Sequence, residues 1–237
     1  LSQDHQQQTR TLSLSISTWR EKMPLIDLND RMCEAILACE KVLDPKTPGI
    51  PSDLIAACRG VAFLTNYEAR FGVSASGGSG LIVHRDSISG KWSHPCALNT
   101  GGAGLGFSVG VGVRDIILVF MDDAPIKQLT EKSDVKLTGQ YGISAGPLGD
   151  DVLASLDSVG MVFSYSYNEG VFAGIGMEAT GLSVNKRNNK AYYKSDATAE
   201  DILFQPDSVM TPDAEAAKLL RTLHHRLEEM SKNKESS

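Results

Sequence analysis

Twenty of the 22 glycines in this chain fall between Gly72 and Gly181, leaving only Gly49 and Gly60 outside. Glycine loses more backbone freedom on folding than any other residue and weakens a helix interior by roughly 0.5–1 kcal/mol relative to alanine. The glycine-rich window is therefore expected to form strands, bulges and tight turns, with helices in the two glycine-poor flanks. With 237 residues, 41% of them hydrophobic, the chain is long enough to enclose a core.

Charge divides along the same boundaries. Residues 1–71, 72–181 and 182–237 carry formal nets of −1, −5 and 0, within a total of −6. A generic nucleic-acid binder must neutralise phosphates, and no basic tract here does so. Apolar runs such as Ile116–Met121 fall far short of the roughly 20 residues that span a bilayer. The opening residues Leu1-Ser-Gln-Asp-His have no apolar signal segment, so the expectation is a domain of a longer cytosolic protein.

The first segment reads as an amphipathic helix, with Leu12, Ile16, Trp19 and Met23 on one face and Pro24 ending it. A strand over residues 12–17 is the competing reading. A second helix over Leu28–Leu43 places Leu28, Met32, Ile36, Cys39 and Leu43 on a stripe. Ser52 is expected to cap a short helix through Cys58, with Gly60 as its C-terminal glycine. Strands are expected at 61–65, 80–83, 113–121, 135–144, 159–167 and 171–177, with hairpin loops at 168–170 and 186–190. Short helices should open at Asp122-Asp123 and at Thr198, where Asp201 completes a capping box. Thr211-Pro212 should open a last helix running to about Met230, its stripe of Leu219, Leu220, Leu223, Leu227 and Met230 docking on the domain.

Chemistry-bearing motifs are sparse. Gly142-Ile-Ser144-Ala-Gly146 fits G-x-S-x-G, but Pro147 follows where a nucleophile elbow needs a helix. Gly101-Gly-Ala-Gly-Leu-Gly106 is out of register for a dinucleotide loop and leads into an alternating strand, one that another backbone should approach closely. Cys33, Cys39, Cys58 and Cys96 show no zinc spacing and read as small buried hydrophobes, and His84 as a structural histidine. No catalytic residue, metal site or cofactor is expected. The one cationic cluster is Lys186, Arg187, Lys190 and Lys194, beside Tyr192-Tyr193, which hairpin geometry would gather on one exposed loop suited to a phosphorylated headgroup or another polyanion.

The order of the glycine-rich blocks adds a resemblance. Gly60-Val-Ala-Phe-Leu-Thr65, Phe71–Gly80, Trp92-Ser-His-Pro95, Ala97–Phe107, Ser144-Ala-Gly-Pro-Leu-Gly149, Phe163-Ser-Tyr-Ser-Tyr167, Gly170–Gly174, Ala191-Tyr-Tyr193 and Thr198–Leu203 together resemble the SYLF domain, over about residues 30–204. The resemblance implies an α+β fold, a glycine-rich antiparallel β-sheet or barrel packed by N- and C-terminal helices. It implies a non-enzymatic module that binds phosphoinositide membranes as a peripheral adaptor in endosomal trafficking or cortical actin organisation, cytoplasmic and peripheral at endosomal or plasma membranes.

An amphipathic N-terminal helix assists lipid binding in such proteins, and Leu12, Ile16, Trp19 and Met23 are the positions that would play that part here, with Arg20 and Lys22 as further candidate lipid-binding residues. Ser76, Asp150 and Asn168-Glu169 stand where the family commonly has basic residues. Lipid binding is then expected to rest on the N-terminal segment and on Lys186, Arg187, Lys190 and Lys194. The alternative is a protein-interaction scaffold, with actin or another partner and no direct lipid contact. The expected division is an N-terminal segment over 1–27, the domain over 28–205, and a C-terminal helix and tail over 206–237.

Overall fold

A computed structural model describes residues 27–47, 49–131, 135–136, 143–145, 162–168 and 181–233. The N-terminal amphipathic stripe and the expected strand at 171–177 lie outside them. Helix α1 (Leu28–Leu43) starts at an Asp27 cap, whose carboxylate accepts the Asn29 N–H at 2.9 Å. Leu28, Met32 and Cys39 of the expected stripe are buried, joined by Ala35 and Val42, while Ile36 and Leu43 pack at its margin. Cys33 departs from the expected buried role: it is exposed, whereas Cys39, Cys58 and Cys96 are buried.

Helix α2 (Ser52–Ala57) takes Pro51 as its N-cap, with Ser52 already helical. Gly60 does not cap it, and instead opens strand β1 (Gly60–His84). A Cβ there would lie 3.0 Å from the Val83 carbonyl oxygen and 2.7 Å from Ile126 Cδ1, so close packing selects glycine rather than helix termination.

Strand β1 pairs antiparallel with β2 (Cys96–Phe120) along nearly its whole length. Each has 25 residues, which laid straight would span about 80 Å, far beyond a domain of this size. The hairpin folds back on itself instead. Its register shifts between Phe71 and Val73, and on either side of that irregularity Phe63 faces Gly80 and Thr65 faces Gly78. A methyl group on Gly80 would sit 1.9 Å from the Phe63 carbonyl oxygen, and one on Gly78 2.0 Å from that of Thr65. Close backbone approach is thus seen along β1 at Gly78 and Gly80, while a Cβ on Gly101 would lie 4.0 Å from the Ser76 carbonyl oxygen.

Helix α3 (Asp123–Glu131) follows, with the Asp122 carboxylate accepting the Ala124 N–H at 2.8 Å. Strands β3 (Val135–Lys136), β4 (Ile143–Ala145), β5 (Val162–Asn168) and β6 (Gly181–Val184) complete a six-stranded sheet in the order β3-β6-β2-β5-β4, with β1 on the other edge of β2. All pairs are antiparallel except β4 with β5. Among the described residues the sheet stays open, so the fold is the α+β sheet and not the closed barrel.

Helix α4 (Lys186–Tyr193) occupies the stretch expected to be a hairpin loop. Helix α5 (Ala199–Phe204) has the Thr198–Asp201 capping box that its sequence announces. After a 3₁₀ turn at Pro206–Ser208, α6 (Ala214–Met230) begins later than Thr211-Pro212 suggested, because Asp213 caps it by accepting the Ala216 N–H at 2.9 Å. Leu220, Leu223, Leu227 and Met230 of α6 are buried in the core shared with α1, and Arg226 pairs with Glu40 of α1 at 2.8 Å. These helices and the inner face of the hairpin enclose one core.

Candidate functional site

The cationic cluster sits on α4, and the reason a helix forms there is tertiary. Asn185 caps it, its side-chain oxygen accepting the Asn188 N–H at 3.0 Å, while its own N–H donates to Ala97 O at 2.8 Å and its Nδ2 to Asn99 Oδ1 at 2.8 Å. One turn on, buried Asn189 accepts the Ala97 N–H at 2.8 Å and donates to Cys96 Sγ at 3.2 Å. At the far end the Tyr193 hydroxyl donates to Pro95 O at 2.6 Å, and Tyr192 donates to Asn29 of α1 at 3.1 Å. Burial pushes the Cys96 thiol up to about 12 and the Tyr193 hydroxyl well above its ordinary value, so both remain neutral hydrogen-bonding groups. The helix is riveted along the start of β2 by polar side chains.

Its opposite side is cationic. At 3.6 residues per turn, Lys186, Arg187 and Lys190 fall within an arc of about 100°, and all three are exposed. Lys194, also exposed, is the C-cap and holds a left-handed conformation with φ 51°. A residue other than glycine seldom adopts that conformation. Lys190 Nζ lies 2.5 Å from Asp196 Oδ1. Lys186, Arg187 and Lys190 thus lie on one face of a helix, with Lys194 at its C-terminus, and not on the hairpin loop that was expected. Leu12, Ile16, Trp19, Arg20 and Lys22 lie outside the described residues.

Asn185 and Asn189 were not singled out from the sequence, and Tyr193 only as a neighbour of the cationic cluster and part of a resemblance block. Their partners lie roughly 90 residues away along the chain, and the one local signal is an Asn at a helix N-cap.

Other candidates resolve differently. His84 is buried, its Nε2 2.9 Å from Asp123 Oδ1 and its Nδ1 3.1 Å from Leu203 O, with Phe204 against its ring at 4.3 Å between centroids. It ties β1 to α3 and α5, a structural role. Ser144 is the middle residue of β4, paired with Phe163, and does not sit on a sharp turn leaving a strand. Among the described residues no group of three or more His, Cys, Asp or Glu is placed to hold a metal ion, and no helix is long and apolar enough to cross a membrane.

Comparison with known proteins agrees with the glycine-block resemblance. A family model described as Ysc84, Las17-binding protein actin regulator, matches residues 101–226. SH3 domain-containing YSC84-like protein 1 of Rattus norvegicus is 37% identical over 157 residues, covering 65% of this chain and 46% of the relative. The Xenopus laevis protein of that name is 32% identical over 189 residues, covering 78% of this chain and 56% of the relative. LAS seventeen-binding protein 3 of Saccharomyces cerevisiae is 35% identical over 158 residues, covering 65% of this chain and 34% of the relative. The chain thus spans about half the length of these relatives or less. By the match over 101–226 and by the block order that resembled a SYLF domain, this chain belongs to the Ysc84 (SYLF) family.

Proposed function

We propose that this chain is a non-enzymatic adaptor module in cortical actin organisation, one that attaches peripherally to phosphoinositide-containing endosomal or plasma membranes through the basic face of α4. The single observation that carries the membrane half is the placement of Lys186, Arg187 and Lys190 on the outer side of a helix whose inner side is bonded to β2, with Lys194 as its C-cap. The actin half draws on the relatives, whose names refer to Las17 binding and SH3 domains.

Lys and Arg near an anionic leaflet contribute about 1 kcal/mol each, so four supply roughly 4 kcal/mol. That is weak attachment on its own. Burial of the Leu12, Ile16 and Trp19 face would add about 1.5–3 kcal/mol per side chain, giving reversible, salt-sensitive association.

Liposome co-sedimentation with and without phosphoinositides tests the reading. Pelleting that requires phosphoinositide and is lost in the Lys186→Glu, Arg187→Glu double variant is expected. Pelleting unchanged by those two substitutions removes α4 as the contact. The scaffold alternative, in which the acidic 72–181 window meets a basic partner surface, predicts actin-filament co-sedimentation that persists after removal of residues 1–24 and without lipid.

A further inference from the structure

Among the described residues, strands β1 and β2 leave one apolar face uncovered. Tyr67 and Val113 stand directly opposite one another in the register and are 55% and 54% exposed. Side chains alternate between the two faces of a sheet, so Thr65 with Asp115 shares this face, as do Ala69 with Val111 and Phe71 with Val109 further along. The opposite face is already taken: Asn66 there accepts the Thr100 hydroxyl at 2.9 Å, where the hairpin folds back on itself. Three successive apolar pairs on the outward side are the pattern of a sheet face that packs against another layer.

Helix α1 supplies that layer only as far as Thr65 and Asp115. Glu34 Oε2 lies 3.4 Å from the Thr65 hydroxyl and Lys41 Nζ 3.6 Å from the Asp115 carboxylate, so α1 crosses both strands at that pair. Glu40, which meets Arg226 of α6 at 2.8 Å, lies about 100–120° round α1 from Lys41 and Glu34, so α6 holds a different flank. A further helix beside α1 has its axis about 8–10 Å away. At about 3.3 Å per strand residue, that is about three residues on from Thr65, over the stretch from Tyr67 to Phe71.

We infer that this face is the dock of the chain's own N-terminal segment, with Leu12, Ile16, Trp19 and Met23 laid across Tyr67, Val113 and the two pairs beyond. The tether is in the right place. Only Pro24-Leu25-Ile26-Asp27 separates Met23 from α1, and a connection of about 2–5 residues makes consecutive helices antiparallel neighbours. So short a linker also holds the stripe at an effective concentration of order mM, ahead of a second copy or a free partner. The same four side chains are those the membrane reading places in lipid, so docked and inserted states exclude one another. That exchange rests on the membrane reading, whereas the dock does not.

The test uses the full chain with Cys33→Ser, which removes the exposed thiol and leaves three buried ones, and adds Ile16→Cys with Val113→Cys. A short bismaleimide should link the pair within one chain at a yield independent of protein concentration. A control with Ile16→Cys and Ile88→Cys, the latter in the exposed turn between β1 and β2, should link far less. Trp19 fluorescence in the parent chain is the second readout: Val113→Asp should shift emission to the red with the far-ultraviolet spectrum unchanged. Links between chains that grow with concentration assign the face to a second copy and overturn the dock. Equal yields at positions 113 and 88, with Trp19 emission unmoved by Val113→Asp, overturn it as well. On phosphatidylcholine and phosphatidylserine vesicles with phosphatidylinositol phosphates the 16–113 link should fall as the protein pellets; a link that persists in the pelleted protein refutes the exchange and keeps the dock. No pelleting with any vesicle removes the membrane reading and leaves the dock to the linking result.

Discussion

Helix α4 packs on β2 and α6 on α1, and they are held by different forces. Along α6, Leu220, Leu223, Leu227 and Met230 are buried against the core, and each such side chain contributes roughly 1.5–3 kcal/mol by leaving water. Along α4 the buried positions are Asn188, Asn189 and Tyr193, and the documented ties of Asn185, Asn189 and Tyr193 run to Asn99, Ala97, Cys96 and Pro95. Hydrogen bonds net only about 0.5–1.5 kcal/mol each, but they are directional. A helix held by area tolerates a small slide or roll; one held by paired amides has one seating. For α4 that fixes where its cations point.

The contrast breaks first at the largest effect. Leu223→Ala should cost about 2–5 kcal/mol in denaturant unfolding, because the site is fully enclosed and cannot collapse without shifting α1. A cost below about 1 kcal/mol would mean that area does not seat α6. Next in size, Asn189→Ala strips the acceptor from a buried Ala97 N–H and should cost about 1–3 kcal/mol. The two variants should differ in kind: hydrogen exchange in Asn189→Ala should rise first in α4, ahead of global unfolding, whereas Leu223→Ala should raise it throughout the core. Uniform acceleration in both would erase the distinction.

This difference also decides what the sequence could reveal. The stripes of α1 and α6 and the Thr198–Asp201 box are local patterns, so both long helices and the short α5 could be read directly. Lys186-Arg-Asn-Asn-Lys190 is polar all round and has no apolar period, and two adjacent Asn residues resemble a turn; only acceptors and donors some 90 residues away make it a helix. The glycine window announced strands, yet not that one strand would double back so that Gly78 and Gly80 meet Thr65 and Phe63. As for the site, which cations cluster was legible from spacing, while the surface that presents them was not.

One polar tie on α6 qualifies the comparison. His224 Nε2–H donates to Ser93 O at 2.9 Å, and burial holds this imidazole below its ordinary value, as burial also does for His94. Both groups favour the neutral form when folded, so the unfolded chain binds more protons as acid is added. Their stabilising contribution is complete above the unfolded value of about 6.5 and is lost as pH falls from there toward the lower folded values. The melting temperature should therefore decline below about pH 6.5, before carboxylates titrate, and His224→Gln should flatten that decline. A profile identical to the parent's would show that His224 is not the group whose protonation lowers stability.

The smallest effect is the most telling for the cationic face. Lys190 and Asp196 approach to 2.5 Å, yet their side chains are 68% and 85% exposed. Exposed pairs of this kind contribute little, because water screens them and ordering two side chains offsets the attraction. Lys190→Ala should move the melting temperature by no more than about 1–2 °C while reducing phosphoinositide-dependent pelleting at low salt. The same variant thus separates what seats α4 from what α4 presents. A large loss of stability would place Lys190 among the structural ties alongside Asn189 and Tyr193, and make it part of how the helix is held.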